Sequence, residues 1–264
     1  GFVSYMPGRL SGFFNDELKI GYLYSFFSLI VLSSLYLSMK RLKINISIFY
    51  IVFLSVLIIS FLIGERANFI KTFFMFFVFF FVFENKLYKS KIFIFAIISL
   101  ISVFLLKSLN NDNDYKYRFW GMFLKPIIHN PVDFFYNSNY GDHYRSAYEV
   151  FKDHKLFGVG IKNYRVAVES DKYGKNTSIH PHEKHLELLS EIGLFGYLTL
   201  ITILMYCIIK AVKIYALNKN LYQLSGLLFL IANLIPLIPS GSFYTTYTAT
   251  FFWMSFAFMI NEKR

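Results

Sequence analysis

The sequence predicts an all-α protein, a polytopic bundle of about seven transmembrane helices that carries one large, mostly helical external loop. Three observations point there. Apolar residues make up 56% of the chain, and phenylalanine alone supplies 33 of its 264 residues. These residues come in blocks close to membrane length, since crossing the roughly 30 Å hydrocarbon core takes about 20 helical residues. Cations gather between alternate blocks, as they do in cytoplasmic loops.

The blocks fall near residues 20–38, 44–63, 68–83, 92–106, 193–209, 221–238 and 242–260, the third and fourth being the shortest. The phenylalanine excess reads as lipid-facing filler or as base composition of the source. Lys40, Arg41 and Lys43 lie between the first two blocks, Lys86, Lys89 and Lys91 between the third and fourth, and Lys210, Lys213 and Lys219 between the fifth and sixth; Lys263 and Arg264 end the chain. Against Glu84 and Glu262 alone, these account for +9 of the net charge of +11. The segment from Lys107 to Glu191 has twelve basic and eleven acidic residues, so it offers no basic stripe, and nucleic acid is excluded as a partner.

With the basic loops in the cytoplasm, residues 1–106 hold spans one to four with the N-terminus outside. Residues 107–192 then form the external loop, and residues 193–264 hold spans five to seven with a cytoplasmic C-terminus. A chain that starts at Gly1 outside the membrane is expected to be the C-terminal part of a longer protein. Cys207, the single cysteine, excludes an intrachain disulfide.

Within the loop, Tyr144, Ala147, Tyr148 and Phe151 follow the spacing of one helix face. A second amphipathic helix is expected over 182–192, with Leu186, Leu189 and Ile192 on one side and Glu183, Glu187 and Glu191 on another. Gly158-Val159-Gly160 lacks the third glycine of a dinucleotide loop and reads as a tight turn. Asn45-Ile46-Ser47 and Asn176-Thr177-Ser178 match the glycosylation tripeptide, a pattern common by chance.

All six histidines lie in the loop, three of them in His180-Pro181-His182-Glu183-Lys184-His185. Histidine is the side chain best suited to moving protons near neutral pH. Pro181 fits a first helical position, which would set His182 beside unsatisfied N–H groups that favour a neutral imidazole and bind anions. The competing reading is a surface histidine that opens a helix. The same residues supply zinc-ligand types. However, His180 and His182 share a face only if extended, and His182 and His185 only if helical, so no metal is assigned. Arg66, in Gly64-Glu65-Arg66-Ala67, is a candidate anion clamp or is neutralised by Glu65, and Lys71 either lines a cavity or snorkels outward. Arg145 suits bidentate phosphate binding or is merely solvated, and Arg165 ranks below it.

Three separated segments together resemble the bacterial O-antigen ligase and O-antigen polymerase superfamily. Gly64-Glu65-Arg66-Ala67 is similar to its Ser-Gly-Glu-Arg-type turn. His143-Tyr144-Arg145, followed by Asp153 to Arg165 with Gly158-Val159-Gly160, resembles its arginine-bearing helix and Gly-Val-Gly segment. His180-Pro181-His182-Glu183 with Gly193 resembles its His-Pro-His-Asn motif and following glycine. Glu183 stands where the family usually has asparagine, and Lys155 where it has proline; a carboxylate at 183 is expected to raise the pKa of His182.

The resemblance implies a C-type membrane glycosyltransferase of the bacterial inner membrane, with residues 107–192 as its periplasmic catalytic loop. It implies inverting transfer of a glycan from undecaprenyl diphosphate to a glycan or lipid A core acceptor, with no cofactor and no metal. His182 is implied as catalytic base with His180 as helper, Arg66 and Arg145 as the diphosphate clamp, and Glu183, Arg165 and Lys71 as secondary candidates. A transporter or flippase of lipid-linked glycan, or a protein O-oligosaccharyltransferase, are the alternative readings.

Overall fold

A helix satisfies its own backbone N–H and C=O groups, so a chain this apolar gains most by folding as helices. In a computed structural model of the protein, every regular element among the described residues is helical. The structure describes residues 6–15, 17–82, 113–136, 138–174 and 178–261. The span expected over 92–106, the charges at Glu84, Lys86, Lys89, Lys91, Glu262, Lys263 and Arg264, and Asn176-Thr177 lie outside them.

Two described helices are long and apolar enough to cross a membrane, Ile20–Leu42 and Lys184–Asn218. The blocks expected at 44–63, 68–83, 221–238 and 242–260 form the shorter helices Ile46–Leu62, Arg66–Val82, Leu221–Asn233 and Thr246–Ile260. Two of the described helices are thus full-length candidates, and the other four described blocks are shorter apolar helices. Proline explains one shortfall. Pro236 and Pro239 cannot continue a helix, and Leu221–Asn233 stops just before them.

The chain divides into two compact units, one holding Gly1–Lys125, Ile214–Ala232 and Ser255–Arg264, the other Pro126–Lys213 and Asn233–Met254. In the first unit, helices Ile20–Leu42, Ile46–Leu62 and Arg66–Val82 pack on one another. Hydroxyls join them: Ser25 Oγ lies 2.5 Å from Thr72 Oγ1, and Ser33 Oγ lies 2.8 Å from Ser225 Oγ of Leu221–Asn233. Between apolar helices, such pairs hold where bulk hydrophobicity does not discriminate. Phe26, Phe49, Phe76, Phe79 and Phe229 are fully buried, so these phenylalanines are core packing rather than lipid-facing filler.

The second unit contains the loop helix Asn139–Asp153, whose N-cap Ser138 accepts a hydrogen bond from the Gly141 N–H at 3.1 Å. Its buried stripe is turned from the one expected: Ala147 and Val150 are sealed against Tyr164, Val168 and Tyr173, while Tyr148 is exposed. The unit also holds most of Lys184–Asn218, which is two helices broken at Gly193. There φ is 65° and ψ is −173°, a combination essentially confined to glycine.

The break frees backbone groups, and the Gly-Val-Gly turn takes them. The N–H groups of Val159 and Gly160 donate to the carbonyls of Ser190 and Glu191 at 2.9 and 2.8 Å, and those of Leu194 and Phe195 donate to the carbonyls of Lys155 and Leu156 at 2.8 and 3.3 Å. A Cβ on Gly158 would lie 2.3 Å from the Glu191 carbonyl carbon, and one on Gly193 2.4 Å from that of Leu156. The turn and Gly193 are therefore the two halves of one backbone contact.

Candidate active site

The histidine segment forms no first helical turn. His182 has φ 58°, a left-handed conformation, and the helix begins only at Lys184. The expected Pro181 start is thereby corrected: a left-handed residue cannot continue a right-handed helix. Glu183 takes the capping role instead, its Oε2 accepting from the Leu186 N–H at 2.8 Å. Glu183→Ala is expected to lower stability by roughly 0.5–2 kcal/mol, the usual value of a cap, whereas Glu183→Asn keeps it; thermal melts of the solubilised protein distinguish the two.

Freed from the helix, His182 turns its ring into a cluster. Its centroid lies 4.0 Å from that of His180 and 5.1 Å from that of His143, with Tyr140 edge-on at 5.9 Å. The Ser240 N–H donates to the His182 carbonyl at 2.7 Å and ties down this segment. His143 Nδ1 accepts from the Ser178 N–H at 3.3 Å, which leaves Nε2 to carry the proton of its neutral ring. His180 Nε2 is buried and has no hydrogen-bond partner among the described residues.

Burial holds His182 down at about 3, helped by the like charges of His180 and His143. Burial also lowers His180, with His143 contributing, and lowers His143 against the opposing pull of Asp142. The expectation that Glu183 raises the pKa of His182 is corrected: burial and the two neighbouring imidazoles push it down instead. What results is a group of neutral imidazoles able to accept a proton from a hydroxyl.

His185 stands apart. Its Nε2 lies 2.8 Å from the Leu234 carbonyl, which can only accept, so that nitrogen donates; Nδ1, 3.0 Å from the Tyr197 hydroxyl, completes a structural role. The acidic stripe is turned inward, with Glu183, Glu187 and Glu191 2–4% exposed. Glu187 accepts from the Ser242 hydroxyl and from the Phe243 N–H at 2.6 Å, and Glu191 accepts from the Lys162 N–H, also at 2.6 Å. Each buried carboxyl group is satisfied by the hydrogen bonds it receives.

Arg145 shares the helix of His143, but two residues on a helix point about 200° apart, so it occupies another face. It pairs with Asp142 and also donates to the Tyr136 carbonyl. Arg165 is exposed on the short helix Tyr164–Ala167. In the first unit, Arg66 donates to the carbonyls of Arg118 and Met122, each at 3.4 Å, in a π-helical stretch over Lys116–Leu124. Glu65 receives the Gly21 N–H at the start of Ile20–Leu42 and pairs with Arg9 at 3.5 Å. Lys71 is 2% exposed within its unit.

Residues 50–201, more than half of the chain, match the O-antigen ligase family. The chain belongs to that family. No curated protein and no solved structure matches it. As a member of the O-antigen ligase family, the protein has a glycosyltransferase-type activity in the processing of surface polysaccharide, works in a membrane, and acts on a lipid-linked glycan.

The region matched to the O-antigen ligase family contains Arg66, Arg145, His180 and His182, and also His143, which the sequence reading passed over as a site residue. The available signal was helical spacing. Tyr140, His143, Tyr144 and Ala147 share one face, so the imidazole follows the buried stripe.

Proposed function

We propose that the protein transfers a glycan from undecaprenyl diphosphate directly, with inversion, to an acceptor hydroxyl on the periplasmic side of the plasma membrane. The acceptor oxygen attacks the anomeric carbon, the bond from that carbon to the diphosphate oxygen breaks, and undecaprenyl diphosphate leaves with the bonding pair. His182 takes the hydroxyl proton. The observation that carries this reading is the ring of His182, held neutral beside two other imidazoles in the family-matched region. His180, with its unpartnered nitrogen, is the helper that orients the acceptor or His182.

Negative charge grows on the departing diphosphate, and arginine is the side chain that holds it by two parallel hydrogen bonds. Arg145 is assigned this task and exchanges Asp142 for the donor when it binds. Arg66 is assigned the same task on the strength of its Gly-Glu-Arg turn. Arg66→Lys is then nearly as damaging to transfer as Arg66→Ala, because lysine keeps the charge and loses the fork. A lysine variant near wild-type rate assigns Arg66 a simple charge role.

The reading is tested with the purified protein in vesicles, supplied with preformed lipid-linked glycan and an acceptor glycan. A new glycosidic bond, traced by mass, supports transfer; donor that crosses the bilayer without forming one supports the transporter reading.

A further inference from the structure

We infer that the turn from Lys155 to Lys162 is a membrane wedge, its Leu156, Phe157 and Ile161 side chains entering the lipid bilayer at the headgroup boundary. These three are 54%, 74% and 61% exposed. Three large apolar side chains this exposed within six residues, outside any long helix, need an apolar partner.

The neighbouring surface identifies that partner. Phe157 stacks on Phe195, with ring centroids 5.6 Å apart and planes at 24°. Phe195 is itself exposed, as are Leu194 and Leu198, on a helix long enough to cross a membrane. The patch on the turn thus continues the outward apolar face of a candidate span and begins where that face begins, just past Gly193. The reciprocal backbone bonds around Gly158 and Gly193 hold the turn at this level.

Charge placement agrees. Lys155 and Lys162 flank the apolar trio and are both exposed. Long cationic side chains beside buried apolar ones can reach lipid phosphates while their stems stay in the apolar zone. The wedge is independent of the transfer chemistry. Under that reading, however, it holds the loop down at the surface where a lipid-linked substrate carries its diphosphate.

The test uses the whole protein in vesicles of phosphatidylethanolamine and phosphatidylglycerol. In a Cys207→Ala background, nitroxide labels are placed singly at Phe157→Cys, Ile161→Cys and, as a water-facing control, Glu169→Cys. Collision with dissolved oxygen, relative to a water-soluble nickel chelate, is expected to be several-fold higher at 157 and 161 than at 169. Equal ratios at all three sites overturn the wedge. Exclusion of both reagents from 157 and 161 also overturns it, because that places another protein surface there. Should the label at 157 disturb the stack on Phe195, the label at 161 decides alone.

Discussion

His182→Asn is expected to cut glycan transfer by about two to four orders of magnitude, the usual contribution of a positioned general base. Asparagine is the informative replacement. His182 sits at φ 58°, and asparagine tolerates the left-handed region better than most residues, so backbone strain does not confuse the result. The hydrogen bond from Ser240 goes to the backbone carbonyl and survives the change. The variant should insert and melt close to the wild type, and an unchanged surface polysaccharide pattern in cells carrying it would sink the assignment.

The pH profile gives a second readout of the same residue. The folded site holds His182 near 3 rather than at the ordinary 6.5, so in the free enzyme the imidazole stays neutral from pH 8 down past pH 5. The acid limb of kcat/KM, which reports the free enzyme, therefore lies well below 6.5. A bound diphosphate is anionic and favours the imidazolium, so the limb in kcat lies higher. Stability carries the matching sign. The unfolded chain takes up a proton near 6.5 that the folded site refuses until about 3, so the contribution of His182 is fully present above 6.5 and is lost as pH falls through that window. A kcat/KM limb centred on 6.5 counts against the proposed base.

Gly193→Ala is expected to be strongly destabilising for a change of one methyl group. The backbone conformation alone costs on the order of 1–3 kcal/mol for any residue with a Cβ. The new atom also falls 2.4 Å from the Leu156 carbonyl carbon and oxygen, where no flexible side chain can move aside. Gly158→Ala meets the Glu191 backbone from the opposite side. Since both changes break one contact, the double variant should lose less than the sum of the singles. Gly121→Ala is the control, its nearest atoms being 3.7 and 4.0 Å away. Thermal melts in detergent make the comparison, and a Gly193→Ala protein that melts with the control refutes the contact.

Legibility in the sequence followed how local each cause was. The apolar blocks among the described residues became helices near their expected places, and His180 and His182, two residues apart, do meet. His143 joins them from a distant helix, and nothing in its own tripeptide distinguishes it. The start at Pro181 failed because proline favours a helix opening without compelling one, and Glu183 offered a cap two residues later. The acidic stripe was misplaced for a different reason: amphipathic reasoning assumes water outside. Here Leu186, Leu189 and Ile192 remain partly exposed, while three glutamates go inward to collect backbone N–H groups.

Glu183 changes how the motif around the proposed base should be searched for. A string of letters demanding asparagine after His-Pro-His would pass over this chain, although the Glu183 carboxylate caps the following helix. The geometry in this chain is a side-chain oxygen that reaches the N–H three residues ahead, with a histidine in a left-handed conformation just before it. A motif written as acceptor atom plus reach would admit glutamate and asparagine alike at this position.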